Sequence, residues 1–373
     1  MKKIKQFFSS VKLKVQNLFK RKNNVKDKKP TLKFKHRRFP KVIVASKHNF
    51  KKAWIFIVPL LVGGAGVTLG LLTRAKPDLE VNVEITDNKV NHRVFLLTDD
   101  NMVVPLSVSL EQKMTKAEEV MDIFNLLKDD CRYQNNTIRG YIPKETKLNA
   151  IDIENGLLTL DVTSEFETLP KKSIMHVVEA LTYTFTSIDG VDSLRFRVDG
   201  CLVDKLAGDY QIPTVLNKSI GINRRLTSLS GKQNKEEVVM LYNRKIEQKD
   251  YYIPMTVDAT KGETRVETVL NAIELKPSTH LNLQKVKEYS YLNLSNKPVV
   301  NEQTVSLDIT KSGMVDEVTI SKELYDLMNL TFDYSDIDLK VNLTFEGEDL
   351  AVDGVIDEND YQVSEIVYNE VKL

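Results

Sequence analysis

Apolar residues follow three different rhythms along this chain. Residues 1–22 place Ile4, Phe7, Phe8, Val11, Val15, Leu18 and Phe19 at three- and four-residue steps, with lysines mostly on the other side. That spacing predicts a basic amphipathic helix. Residues 53–72, AWIFIVPLLVGGAGVTLGLL, then run for twenty residues without a charge. At about 1.5 Å per residue a helix of this length spans about 30 Å, the hydrocarbon thickness of a bilayer, so a single transmembrane helix is expected here. Within it Gly66 and Gly70 form a GxxxG, which permits close helix pairing but is a weak signal because glycine is common in such helices.

From residue 91 onward the pattern is that of a folded globular protein. VFLLT (94–98) and VVPLSVSL (103–110) are strand-like runs joined by the turn residues Asp99-Asp100-Asn101. Thr115, with Glu118 three residues on, predicts a capped helix carrying Ala117, Val120, Met121, Phe124 and Leu127 on one face. LNAIDI (148–153) and LLTLDV (157–162) flank an Asn155-Gly156 pair and predict a second hairpin. A helix opening at Ser173 and an alternating strand, VDSLRFRVDG (191–200), complete a β-β-α-β-β-α-β unit. The fold class expected is α+β, with helices covering one face of a largely antiparallel sheet.

The unit recurs. VVMLY (238–242) and YIPMTV (252–257) match the first hairpin, TRVETVLNAIEL (264–275) the first helix, VSLDIT (305–310) matches LTLDVT (158–163), and LTFEG (343–347) matches FRVDG (196–200). Leu158 to Phe196 and Val305 to Leu343 are both 38 residues, and Val104 to Leu158 spans 54 against 52 for Ile253 to Val305. Spacing kept in step this far argues for a tandem duplication. The second copy is expected to be looser, with residues 296–303 replacing the tight turn and a shorter helix near 321–329. The segments after each copy, 206–235 and 348–369, read as straps packing back on their own sheets.

These readings divide the chain into a basic cytoplasmic tail (1–52), the transmembrane helix (53–72), a juxtamembrane segment (73–89), a first domain (90–205), a connecting segment (206–235) and a second, divergent domain (236–373). Charge supports this division. Residues 1–52 hold 19 lysines and arginines against the single acid Asp27, leaving 34 bases against 51 acids in the rest. Basic flanks resist translocation, so the N-terminus is expected in the cytoplasm and the domains outside the cell membrane. Lone Trp54 fits an interfacial anchor, and the tail suits the anionic inner leaflet or serves only to set orientation. Nucleic-acid binding is not expected, because the tail lacks a reading module. A cleaved signal peptide fits poorly with so long a charged leader, and no cysteine follows the apolar run to carry a lipid.

Candidate chemistry is sparse. His36, His48, His92, His176 and His280 stand clear of one another and of any cysteine or acid cluster, and no phosphate loop, nucleophile elbow or CxxC is present. Asp161 and Asp308 occupy matching positions in LDVT and LDIT, but lie in different copies and fit carboxylates that satisfy backbone amides at a strand end. Cys131 and Cys201 are as compatible with two thiols as with a disulfide. No catalytic, cofactor-binding or metal-binding residue is assigned, and a non-enzymatic protein without cofactor is expected.

The run from Val94 through VVPLSV, KAEEVMDIFNLL, IPKETKL (142–148), LDVTSEF (160–166) and YTFT (183–186) resembles the GerM domain, a bacterial sporulation and spore-germination module, with Glu145 where that family usually has glycine. The resemblance covers residues 90–200 and, through the internal repeat, 236–347. It implies two ring-building-type α+β domains in tandem, working outside the membrane without catalytic residues, in sporulation, germination or a general envelope role. The expected function is a membrane-anchored scaffold that binds envelope or sporulation-complex proteins and is able to form homo-oligomers. The alternative is a peptidoglycan-binding module or a regulator of wall hydrolases.

Overall fold

The computed structural model describes residues 89–371 except 135, 225–233, 278, 317 and 356–360. The basic tail, the expected transmembrane helix at 53–72 and the juxtamembrane segment lie outside the described residues, and among the described residues no helix is long and apolar enough to cross a membrane.

The first domain follows the order read from the sequence. Strands β1 (Lys89–Thr98) and β2 (Val103–Glu111) form an antiparallel hairpin. Helix α1 (Lys116–Leu126) starts at a capping box in which Thr115 and Glu118 each bind the other's backbone amide. It buries Val120, Ile123, Phe124 and the following Leu127, but Ala117 is exposed and Met121 half-exposed, correcting their placement on the core face. Strands β3 (Leu148–Glu154) and β4 (Leu157–Val162) are joined by Asn155 (φ 50°) and Gly156 (φ 76°), the left-handed pair a two-residue hairpin needs. Helix α2 (Ile174–Phe185) and strand β5 (Ser193–Val198) follow.

The pairing departs from a single antiparallel sheet. Among its described residues the first domain holds two four-stranded sheets, one built on β1 and β2 with the short strands 132–133 and 138–139, the other on β3, β4 and β5 with 201–202. The β4–β5 pair is parallel. The cause is the connection: α2 carries the chain from one end of the sheet back to the other, so β5 enters in the direction of β4.

The second domain repeats this plan with β6 (Lys235–Ile246), β7 (Lys249–Thr260), α3 (Arg265–Ile273), β8 (Thr304–Asp308), α4 (Lys322–Tyr334) and β9 (Lys340–Phe345). The parallel register is the same in both copies. Leu158 faces Leu194 and Leu160 faces Phe196, while Val305 faces Val341 and Leu307 faces Leu343, each partner lying 36 residues on. One expectation is corrected. Helix α4 is not shortened; at 13 residues it is one longer than α2. The counterpart of β3 is instead reduced to the two-residue strand Val299–Val300.

A sequence logic also repeats at the helix–sheet contact. The free side of β1 is satisfied by hydroxyls of the α2 region: the Phe95 amide donates to Thr184 Oγ1 at 2.9 Å and Ser187 Oγ donates to the Arg93 carbonyl at 2.9 Å. In the second copy Ser335 does both tasks, accepting from the Val239 amide at 3.1 Å and donating to its carbonyl at 3.0 Å. Threonine and serine at these helix ends therefore stand in for a missing strand neighbour.

Candidate functional site

The residues that sequence reading singled out are not brought together. Asp161 accepts from the Gly200 amide at 3.0 Å, a strand-end role, whereas Asp308 accepts from the side-chain amides of Asn293 and Asn296 at 3.2 and 2.6 Å. His92 stands 3.5 Å from Glu119, with burial as the main force lowering its pKa. His176 lies 3.0 Å from buried Glu179, and His280 is exposed. Cys131 and Cys201 are free thiols. Among the described residues no group of three or more histidines, cysteines or acids is placed to hold a metal ion.

What the fold does build is a seam between the two domains, with β2 packed against β7. Each strap first follows its own domain: Leu216 and Leu194 exchange backbone hydrogen bonds at 2.8 Å, and Ala351–Val352 pairs with Thr319–Ile320. Each then crosses over, which corrects the expectation that it packs only on its own sheet. Asn223, at the end of the first strap, accepts from the Val103 amide and donates to the Val103 carbonyl, both at 2.8 Å, and donates to the Pro254 carbonyl of the other domain at 2.9 Å. Asn369, at the end of the second, accepts from the Tyr252 amide at 2.9 Å and donates to the Tyr252 carbonyl at 2.8 Å and to the Pro105 carbonyl of the first domain at 2.9 Å. Val103 and Tyr252, like Pro105 and Pro254, are 149 residues apart. The seam therefore has an internal two-fold logic.

Neighbouring bonds obey it as well. The Ile222 amide donates to Thr256 Oγ1 at 2.8 Å, and the Tyr368 amide donates to Ser107 Oγ at 3.1 Å. Both asparagines are buried and lie in the left-handed region, at φ 48° and 53°. Asparagine suits both demands, since it tolerates that conformation and carries a donor and an acceptor on one amide.

One side of the seam is asymmetric. Arg93 of β1 is buried, lying over the rings of Tyr334 and Tyr368, donating to the Val363 carbonyl at 3.1 Å and standing 3.6 Å from the Asp333 carboxylate. Burial would depress its pKa, but Tyr368, Tyr334 and Asp333 outweigh it and hold the guanidinium charged above its usual range. Tyr334 also meets Phe95 edge-on with centroids 6.3 Å apart, and Lys218 Nζ reaches Asp333 at 3.5 Å. Grooves of about 480 and 550 Å³ flank this cluster, lined by polar groups of both domains such as Lys218, Arg224, Asp192 and Asp333.

At the opposite end, Arg244 of β6 donates to Asp100 in the β1–β2 turn at 2.8 Å. Burial acts to raise the Asp100 pKa, but the hydrogen bonds from Arg244 and Thr98 prevail and lower it. A depressed carboxyl pKa stabilises the fold above the unfolded-state value, and that contribution disappears as pH falls through the folded-state value. Replacing Asp100 by Asn is thus expected to lower stability slightly at pH 7 and to make no difference at acid pH, a convergence readable from urea midpoints of both proteins across pH.

Sequence reading missed Asn223, Asn369 and Arg93. A signal existed for the first two: each post-repeat segment holds an asparagine directly after a buried apolar residue, Ile222-Asn223 and Tyr368-Asn369.

Comparison with known proteins agrees with this architecture. Residues 93–204 match the family model described as "Germane: Sporulation and spore germination". The chain is 22% identical over 289 residues to the spore germination protein GerM of Bacillus subtilis (strain 168), covering 74% of this chain and 78% of that protein. It also superposes on the tandem GerMN domains of the sporulation protein GerM from Bacillus subtilis with a TM-score of 0.61 at 21% identity, covering 75% of this chain and 99% of that structure. Residues 93–204 thus match the Germane domain model, and the chain has the fold of the tandem GerMN domains.

Proposed function

We propose that this chain is a non-enzymatic scaffold of the sporulation or germination machinery, anchored in the cell membrane by residues 53–72 and presenting its paired domains outside it. The observation that carries the reading is the seam, where buried side-chain hydrogen bonds join the two domains into one body. Such a body offers spaced, rigid surfaces. The reading is supported by the kinship with GerM and by the uncharged twenty-residue run behind a strongly basic tail.

The test has three parts. Protease added to intact cells is expected to remove the region after residue 76, and protection until lysis would overturn the orientation. Crosslinking the full chain in sporulating cells is expected to trap envelope proteins, whereas sedimentation on purified wall sacculi without a protein partner would favour the peptidoglycan-binding alternative. Loss of the gene is expected to lower the yield of heat-resistant spores or slow their germination, and normal counts in both assays would remove the sporulation role.

A further inference from the structure

The two copies differ most at one sheet edge. In the first domain α1 packs on β3, a seven-residue edge strand whose exposed positions include Asn149, Asp152 and Glu154. Charges on an edge strand discourage a further strand from pairing there. In the second domain the corresponding edge keeps Val299–Val300, both exposed, at 60% and 43%, and a single bridge from Leu292 to Ile309, with residues 294–298 looping out between them. Where the rest of β3 would lie, a cavity of about 580 Å³ opens between α3 and residues 294–298, with Leu270, Leu294 and Pro298 in its lining.

The register fixes which backbone groups are open. Val299 faces Ser306, Val300 faces Val305, and the Asn301 amide donates to the Thr304 carbonyl at 2.8 Å. Bonded and non-bonded pairs alternate in an antiparallel ladder, so Val299 bonds inward to β8 and the N–H and C=O of Val300 point to the open side. Among the described residues no strand pairs there.

Charge selects the occupant. The cavity lining holds the carboxylates of Glu263, Glu267 and Glu274 against the single cation Lys297, which pairs with Glu263 at 3.4 Å. Lys285, outside the lining, pairs with Glu274 at 3.1 Å. We propose that this slot binds an extended, lysine- or arginine-bearing segment of a partner protein, which adds as a strand beside Val300 and places its cations among these glutamates. This rests on the scaffold reading and names the partner's chemistry.

A fluorescent heptapeptide of alternating lysine and valine, titrated with the full chain in detergent and followed by anisotropy, is the probe. It is expected to bind more tightly at low salt, while the same peptide with glutamate in place of lysine does not bind. Val300→Pro removes the outward amide without costing a β8 ladder bond and is expected to weaken binding about tenfold. Glu263→Lys with Glu274→Lys, which leaves the backbone untouched, is expected to weaken it at least as much and carries the test should the proline variant fold poorly. Failure of the lysine peptide to bind, equal binding of both peptides, or indifference to these variants overturns the proposal. A concentration-dependent dimer dissolved by the same variants would assign the edge to a second copy and overturn it too. Crosslinked partners found elsewhere on the surface would leave the scaffold reading intact, so the two failures are distinguishable.

Discussion

Asn223→Ala is expected to lower the unfolding free energy by about 3 kcal/mol, because it leaves the Val103 amide and the Val103 and Pro254 carbonyls buried without their shared partner. Part of that loss has a separate origin, since alanine at φ 48° is strained where asparagine is tolerated. Asn223→Gly separates the two: glycine accepts the conformation freely, so its residual loss measures the hydrogen bonds. The same substitutions at Asn369 are expected to cost about as much, as its bonds to Tyr252 and Pro105 mirror the first set. The two clamps grip residues two apart on β2, Val103 and Pro105, and on β7, Tyr252 and Pro254, so their effects are not independent. Together the two losses approach the whole stability of an ordinary domain. Urea unfolding is the measurement. A fall in the slope or a second transition in the double variant would show the domains coming apart before they unfold. Midpoints unchanged within error would show that the clamps contribute nothing.

The parts of this architecture written in local sequence are those with a period or a turn. Asn155-Gly156 announced its hairpin, Thr115 with Glu118 announced the start of α1, and the equal spacing of Leu158–Phe196 and Val305–Leu343 announced the duplication that the shared parallel register bears out. Direction of pairing was not legible from the runs themselves, since LLTLDV and SLRFRV suit either direction; the intervening helix decides it. The shrinkage of the second β3 counterpart to Val299–Val300 was half-visible, as the loss of the tight turn. The seam was hidden for a different reason. Asn223, Asn369 and Arg93 are polar residues outside any hydrophobic period, and polarity at such positions ordinarily signals solvent. Only tertiary contacts across the seam turn them inward: the two asparagines between β2 and β7, and Arg93 between the rings of Tyr334 and Tyr368.

Arg93→Met is expected to cost about 2–3 kcal/mol, at or below the lower end of what breaking a buried ion pair costs. Methionine keeps most of the stem's packing volume, so the loss reports the guanidinium: its hydrogen bond to the Val363 carbonyl, its place over the Tyr334 and Tyr368 rings, and its attraction to Asp333. The figure is held down because Asp333 is a third exposed and keeps Lys218 at 3.5 Å, so water and a second cation take up part of the orphaned charge. Arg93→Lys is expected to recover only a little, because an ammonium lacks the planar fork and the weak hydration that suit a guanidinium to a site between two rings. A double-mutant cycle with Asp333→Asn isolates the ion pair: if Asp333 provides most of the anchoring, Arg93→Met costs much less once Asp333 has been neutralised. Salt gives an independent check. The Arg93 contribution should persist in 1 M salt better than that of the Asp100–Arg244 pair, because the acid of the latter is 53% exposed against 33% for Asp333, and the Arg93 side chain is 8% exposed against 12% for Arg244. Equal erosion of both by salt would place Arg93 in water and remove it from the set of contacts that lock the second domain onto the first.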